Sequence, residues 1–258
     1  MPRIADLSGI RSILELDRPW AVYALGDLSP GFAEHCEWFA LQDEPPALVL
    51  LYGRFDPPVL FALGPPDRIA CLMQEIDSTA VTLQVRPDAL AAILAHYQSA
   101  DLQAMWRMLV EPETFRPAAV GGAAPLGGAD IDAIQALYAD GHQRGEGPHF
   151  FDPSMVEQGI FRGVWEGDAL VAVAGTHLVA PSLGVCAIGN VYTRHDRRGR
   201  GLSARVTSAA VSDAFLRNLP TVVLNVDQRN AAAIRVYERL GFRRYCDFAE
   251  GLARRSVG

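Results

Sequence analysis

The stretch that decides the reading of this chain is Arg197-Arg198-Gly199-Arg200-Gly201-Leu202-Ser203. The residues before it, 185–193, are almost all apolar, as in a strand buried on both faces. After it, Leu202, Val206, Ala209, Ala210 and Ala214 recur at helical spacing. The stretch is therefore a strand-to-helix turn. Gly199 and Gly201 let the backbone come close to a ligand. The first N–H groups of the helix point outward, and its dipole favours negative charge. Arg194, Arg197, Arg198, Arg200 and Arg205 surround the turn with donors shaped for phosphate oxygens. The expected ligand is a phosphate or pyrophosphate. Taken alone, the same run also reads as the solvated charged start of a helix.

Gly199, Gly201 and Ala204 also fit the Gly-x-Gly-x-x-Ala fingerprint of dinucleotide-binding turns, with Asp227 near the place of a ribose-binding acid. That fold needs several more strand–helix units after the fingerprint, and the residues beyond Asp227 are too few to build them.

A second pattern lies downstream. Asn225-Val226-Asp227-Gln228-Arg229-Asn230 leads into Ala231-Ala232-Ala233-Ile234-Arg235-Val236-Tyr237-Glu238-Arg239-Leu240-Gly241-Phe242. Asn230 suits a helix N-cap and Gly241 a left-handed stop. With both patterns in view, the sequence resembles the GNAT superfamily of acyl-CoA N-acyltransferases. That family's phosphate turn, Arg/Gln-x-x-Gly-x-Gly/Ala, is matched by Arg198, Gly201 and Ser203. Ser203 departs from the usual Gly or Ala at a position that acts through its backbone. The family's second motif is matched by Asn230, Ala233, Tyr237, Gly241 and Phe242. The motif-bearing resemblance covers about residues 185–248, and a weaker pattern of elements reaches back to about 116.

The resemblance implies a site. Strands 185–193 and 221–226 would be parallel neighbours that splay apart. Coenzyme A would enter the gap along Val191, Tyr192 and Thr193, with its pyrophosphate on the turn of Arg197, Arg198, Gly199, Arg200, Gly201, Leu202 and Ser203. A backbone N–H near Val191 would polarise the thioester carbonyl. Asn230 would cap its helix and touch the pantetheine. Tyr237 is the candidate general acid for the leaving sulfur, protonated at neutral pH with a reference pKa of about 10; read without the family, it is an amphipathic core residue. For the general base, the candidates are Glu146, His142 and His149 on the loop before Phe150, His177 in the hairpin, and Asn190 as a water holder; Glu146 and His177 are put forward.

Composition bounds the rest. The chain has 258 residues, 50% hydrophobic and 21% charged, which is a globular composition. A net charge of -7 argues against a general nucleic-acid partner, which needs a basic face. The cysteines Cys36, Cys71, Cys186 and Cys246 form no CxxC pair, and no metal site is expected. No apolar run approaches the length of a membrane helix, and the opening residues lack the apolar core of a signal peptide. A cytoplasmic protein with no membrane partner is expected.

The first half repeats the order of the second with weaker signals. Runs 47–52 and 59–63 flank turn residues and read as a hairpin. A helix through Ile69, Leu72, Met73 and Ile76, a strand at 80–85 and a helix at 88–97 follow. In the second half, a helix passes Ile134, Leu137 and Tyr138, and 161–165 with 170–178 form another hairpin. The expected architecture is α/β (α+β): a mixed, mostly antiparallel sheet with flanking helices, in two tandem copies. Residues 1–115 would be a degenerate GNAT-like domain and 116–258 the acyl-CoA-binding N-acetyltransferase domain. Arg86-Pro87-Asp88 is read as the first half's counterpart of the phosphate turn; it has no glycine, and Pro87 lacks an N–H. Two-domain members resembling the glycine N-acyltransferases are the nearest comparison. The expected activity is transfer of an acetyl or short acyl group from CoA, a co-substrate, to the primary amine of a small molecule or peptide, by direct attack in a ternary complex. The alternative is a non-catalytic CoA-binding sensor or scaffold.

Overall fold

A computed structural model describes residues 6–119, 121–148 and 150–256. The chain divides into two compact units. Among the described residues, the first holds 6–107, 227–229 and 245–256, and the second holds 108–119, 121–148, 150–226 and 230–244.

In the first unit, α1 (Leu7–Leu14) and α2 (Val22–Gly26) precede three antiparallel strands, β1 (Cys36–Leu41), β2 (Ala47–Tyr52) and β3 (Val59–Leu63). Then come α3 (Pro66–Met73), β4 (Ala80–Val85), α4 (Pro87–Leu94), the short β5 (Tyr97–Gln98) and β6 (Gln103–Val110), whose residues 103–107 fall in this unit. Strand β4 runs parallel to β3 with Leu60 beside Leu83, so α3 is the crossover between them. Crossovers between parallel strands need a helix-sized connection. Residues 249–254 pair antiparallel with the other edge of β4. The core packs Val49, Leu60, Ile69, Leu72, Met73 and Leu83, all buried, between sheet and helices. Trp20 closes the open end of the β3–β4 pair. Its Nε1 donates to the Ala62 carbonyl at 3.1 Å, and its ring packs on Phe61 and Phe248.

The second unit repeats this order. It comprises β7 (Ala124–Pro125), α5 (Ile131–His142), α6 (Ser154–Gln158), β8 (Arg162–Glu166), β9 (Ala169–Ala180), β10 (Val185–Thr193), α7 (Leu202–Leu216), β11 (Thr221–Asp227, of which Asp227 falls in the first unit) and α8 (Ala231–Arg239). The closing strand β12 (Arg243–Arg255) begins here and is assigned to the first unit from Tyr245 onward. Strands β7 to β10 are antiparallel in sequence order, and β10 and β11 are parallel around α7. The fold is thus mixed α/β, mostly antiparallel, with flanking helices, in two units of like order. Strand β10 has the bounds that its apolar run implies, because α7 and α5 both pack against it. Among the described residues, no helix is long and apolar enough to cross a membrane.

One reading of the first half is corrected. The parallel pair β3–β4 brackets α3, so the counterpart of the β10–α7 turn is the β3–α3 connection, Gly64-Pro65-Pro66, and not Arg86-Pro87-Asp88. Pro65 and Pro66 offer no N–H at that helix start.

Candidate functional site

Pairing between β10 and β11 stops early. Val185 to Ile188 lie beside Thr221 to Leu224, and beyond Ile188 the two strands have no paired residues. Strand β10 continues to Thr193 against β9 alone, with Tyr192 opposite Val173 and Thr193 opposite Ala172. The sheet therefore opens inside the unit. Backbone groups exposed at such an opening are free to bond an extended ligand, as at any unpaired strand edge. Asn190 and Val191 have no partner in either neighbouring strand.

Two bulges shape this place. The β9–β10 register shifts once between Ala187 and Ile188, where His177 is the extra residue of β9. It shifts again between Gly189 and Tyr192 on β10. Bulges re-aim side chains out of strict alternation. The His177 ring consequently lies over Gly189: a Cβ built there would meet its Cε1 and Nε2 at 2.4 Å. Burial pushes the His177 imidazole down to about 4, opposed by a side-chain interaction with Asn190. His177 is thus neutral at physiological pH. Asn190 is buried and left-handed, with φ 53°, and its main-chain oxygen accepts from the Tyr138 hydroxyl at 2.7 Å.

The arginine turn follows directly. Gly199 and Gly201 both take positive φ, 77° and 74°, and neither would meet another atom within 4 Å if given a Cβ. Gly201 is the N-cap of α7, and no side chain caps that helix. Its first N–H groups, from Leu202 and Ser203 onward, are therefore available to an anion beside an open surface. The arginines are engaged with carboxylates. Arg194 pairs with Asp196, Arg197 with Glu166 at 2.7 Å, and Arg200 with Glu166 at 3.6 Å. Arg198 Nη2 lies 2.6 Å from Glu146 Oε2, its Nε donates to the Thr193 carbonyl, and its guanidinium sits over the Tyr192 ring. The Arg198 contact holds the Glu146 carboxyl below the usual range. Tyr192 is buried, and its hydroxyl donates to Asp140 at 2.9 Å.

Helix α8 supplies the last pieces. Asn230 Oδ1 accepts from the Ala233 N–H at 3.1 Å, so it is an N-cap. Tyr237 is buried, stacks edge-on against Phe242, and burial pushes its phenol up to about 12. Its hydroxyl has no hydrogen-bond partner among the described residues. A phenol in that state is protonated at every physiological pH and free to donate.

The residues read from the sequence thus fall into two groups. Val191, Tyr192, Thr193, Arg197, Arg198, Gly199, Arg200, Gly201, Leu202 and Ser203 are contiguous along the end of β10, the turn and the start of α7. His177 stands at the strand opening, whereas Glu146 is tied to the turn by Arg198. His142 Nε2 is bonded to the Pro148 carbonyl, and His149 lies outside the described residues. Asp140 and Glu166 carry no local sequence pattern as counter-ions, and Tyr138 reads from the sequence as a helix core residue and not as a prop for Asn190.

A profile of the Acetyltransferase (GNAT) family matches residues 131–242. The mycothiol acetyltransferase of Thermobispora bispora is 43% identical over 61 residues, which are 22% of this chain and 21% of that protein. The match thus spans about a fifth of that relative's length. The mycothiol acetyltransferase of Rhodococcus opacus is 29% identical over 259 residues, covering 92% of this chain and 81% of its own. A solved tandem GNAT protein from the clavulanic acid biosynthesis pathway shares the fold. It has a TM-score of 0.58 over 100% of this chain and 98% of its own, at 15% identity.

Proposed function

We propose, from the acetyltransferase (GNAT) family domain that residues 131–242 form, that the chain transfers an acetyl group from acetyl-CoA to a primary amine in a ternary complex. The observation that carries this reading is the opening of the β10–β11 pair directly before an uncapped helix start with two left-handed glycines. An extended thiol arm fits the first feature and a pyrophosphate fits the second. Acetyl-CoA, when bound, supplies the activated thioester carbonyl.

The residues divide the remaining work. The Val191 N–H, unpaired in the ladder, donates to the carbonyl oxygen and gains strength as charge develops there. The turn from Arg197 to Ser203 holds the pyrophosphate, with Arg198 exchanging Glu146 for a phosphate oxygen. Between the two base candidates, the geometry favours His177. It is neutral and stands at the strand opening, whereas Glu146 is held by a guanidinium. Tyr237 gives its hydroxyl proton to the leaving sulfur. A mycothiol-related amine heads the list of acceptors, since relatives matching this chain carry that name.

The test is thiol release from acetyl-CoA with and without a panel of primary amines, for wild type and Tyr237→Phe. Amine-dependent release that falls in the variant supports the reading. CoA raising the melting temperature with no release from any amine supports the binding module instead.

A further inference from the structure

Asn190 brings together features that a strand residue seldom combines. Its backbone is left-handed, a region that non-glycine residues avoid. Its side chain is only 4% exposed within an otherwise apolar strand. Its Nδ2 donates to Met155 Sδ at 3.5 Å, a weak acceptor. Its Oδ1 is buried with no hydrogen-bond partner. A buried acceptor with no protein partner is costly, so this oxygen has a hydrogen bond to gain. The Tyr138 hydroxyl, bonded to the main-chain oxygen, fixes the peptide that aims this amide.

The neighbour in question is His177, whose ring covers the adjacent Gly189. Burial disfavours charge on that ring, and the Asn190 amide is the group that acts the other way. An amide can favour an imidazolium only through its oxygen, because its nitrogen is a donor. A neutral ring carries one N–H, and a protonated ring carries two.

We propose that Asn190 is a positioning residue for acyl transfer: its Oδ1, unpartnered in the resting protein, accepts a hydrogen bond from the His177 ring once that ring has taken a proton from the acceptor. This rests on the reaction proposed above. An ammonium acceptor sheds two protons on its way to an amide. The first passes to His177, whose new N–H pair is held in place by Asn190. As the N–C bond forms and the C–S bond breaks, the Tyr237 hydroxyl protonates the sulfur. The second nitrogen proton restores the tyrosine, and His177 returns its proton to solvent. One amide, one thiol and one proton result. The left-handed bulge takes Asn190 out of strict alternation at the residue next to the Gly189 that the ring covers.

Two variants separate this role from a structural one. Asn190→Gly keeps the left-handed backbone and removes the amide, and Asn190→Asp keeps the shape and substitutes a carboxylate. The full chain with 13C-labelled histidine is titrated by NMR without substrate, the His177 signal being identified by its loss in His177→Gln. His177 is expected to titrate at higher pH in Asn190→Asp than in wild type, and at lower pH in Asn190→Gly. In the acetyl-CoA assay with primary amines, Asn190→Gly is expected to lower kcat about tenfold, with the KM for acetyl-CoA within about twofold, a modest share of a general-base contribution. Coincident His177 titrations in all three proteins overturn the inference. So does an unchanged kcat in Asn190→Gly when wild type acetylates amines, and that result leaves the reaction standing. A wild type that acetylates no amine overturns the reaction together with the inference.

Discussion

Glu146 Oε2 lies 2.6 Å from Arg198 Nη2, so a residue of the α5–α6 connection occupies a guanidinium of the turn between β10 and α7. His195 Nδ1 stands 3.8 Å from the same oxygen. In the proposed reaction the carboxylate would be an internal stand-in for a phosphate of the coenzyme. Both side chains are partly exposed, which limits the worth of the pair.

Glu146→Gln removes the competitor. Acetyl-CoA is expected to bind about two- to fivefold more tightly, the scale of one exposed ion pair. Arg198→Ala is expected to weaken binding by at least about tenfold, because a charged hydrogen bond to the ligand is lost. Calorimetric titration with CoA checks both. Equal affinities for Glu146→Gln and wild type would sink the stand-in role.

Gly189→Ala puts a methyl group into the His177 ring. Overpacking of this kind costs about 1–3 kcal/mol of stability. Acetyl transfer is expected to fall at least about tenfold, since small misplacements of reacting groups are felt strongly. The thermal shift caused by CoA is expected to survive. Unchanged kcat in a folded Gly189→Ala chain would remove His177 from the proton route.

Tyr237→Phe deletes a hydroxyl that bonds to no described residue, so stability is expected to change little. The rate is expected to fall by about 10²–10³, the range of a lost general acid. Because burial pushes this phenol up to about 12, it contributes no basic limb to the pH–rate profile below pH 11. A basic limb near neutrality that disappears in Tyr237→Phe would contradict the assignment.

Much of this was legible in the sequence, and the reasons differ by element. Strand β10 announced itself because both faces are covered, which writes an unbroken apolar run. The turn announced itself through Gly199 and Gly201, whose left-handed backbones few other residues adopt. Strands β1 and β6 escaped notice. Glu37 and Arg107 interrupt their patterns, and Arg107 is held inside among the Trp20, Tyr23 and Phe248 rings and the Pro19 and Trp20 carbonyls. Those partners lie far off in sequence. The bulges that expose His177 and Asn190 are register shifts between two strands, and no single strand encodes a register.

Asp27 carries a prediction unrelated to the site. Burial pushes its carboxyl up to about 8, with the Cys36 thiol bonded to its main-chain oxygen. The unfolded chain ionises this group near 3.8. Between those values the folded state holds a proton that the unfolded state has lost. Stability therefore falls as pH rises through this window and levels off above it. Asp27→Asn is expected to abolish that slope and to be the more stable protein at pH 8, by about 1–2 kcal/mol for a residue that remains partly exposed. Parallel urea melts at pH 5 and pH 8 decide it; an identical pH slope in both proteins would refute the assignment.

Residues 245–255 complete the first unit, pairing at Ala249 to Arg254 with the edge of β4. A ribosome makes β4 long before it makes that partner. Through most of translation, then, Val81, Leu83 and Val85 belong to a sheet with one side bare, the kind of edge that invites strands from other molecules. Synthesis order and completion order run opposite ways here. The nascent protein has to be kept from its neighbours until its second unit has been made, and any truncation before residue 245 turns that passing exposure into a permanent one.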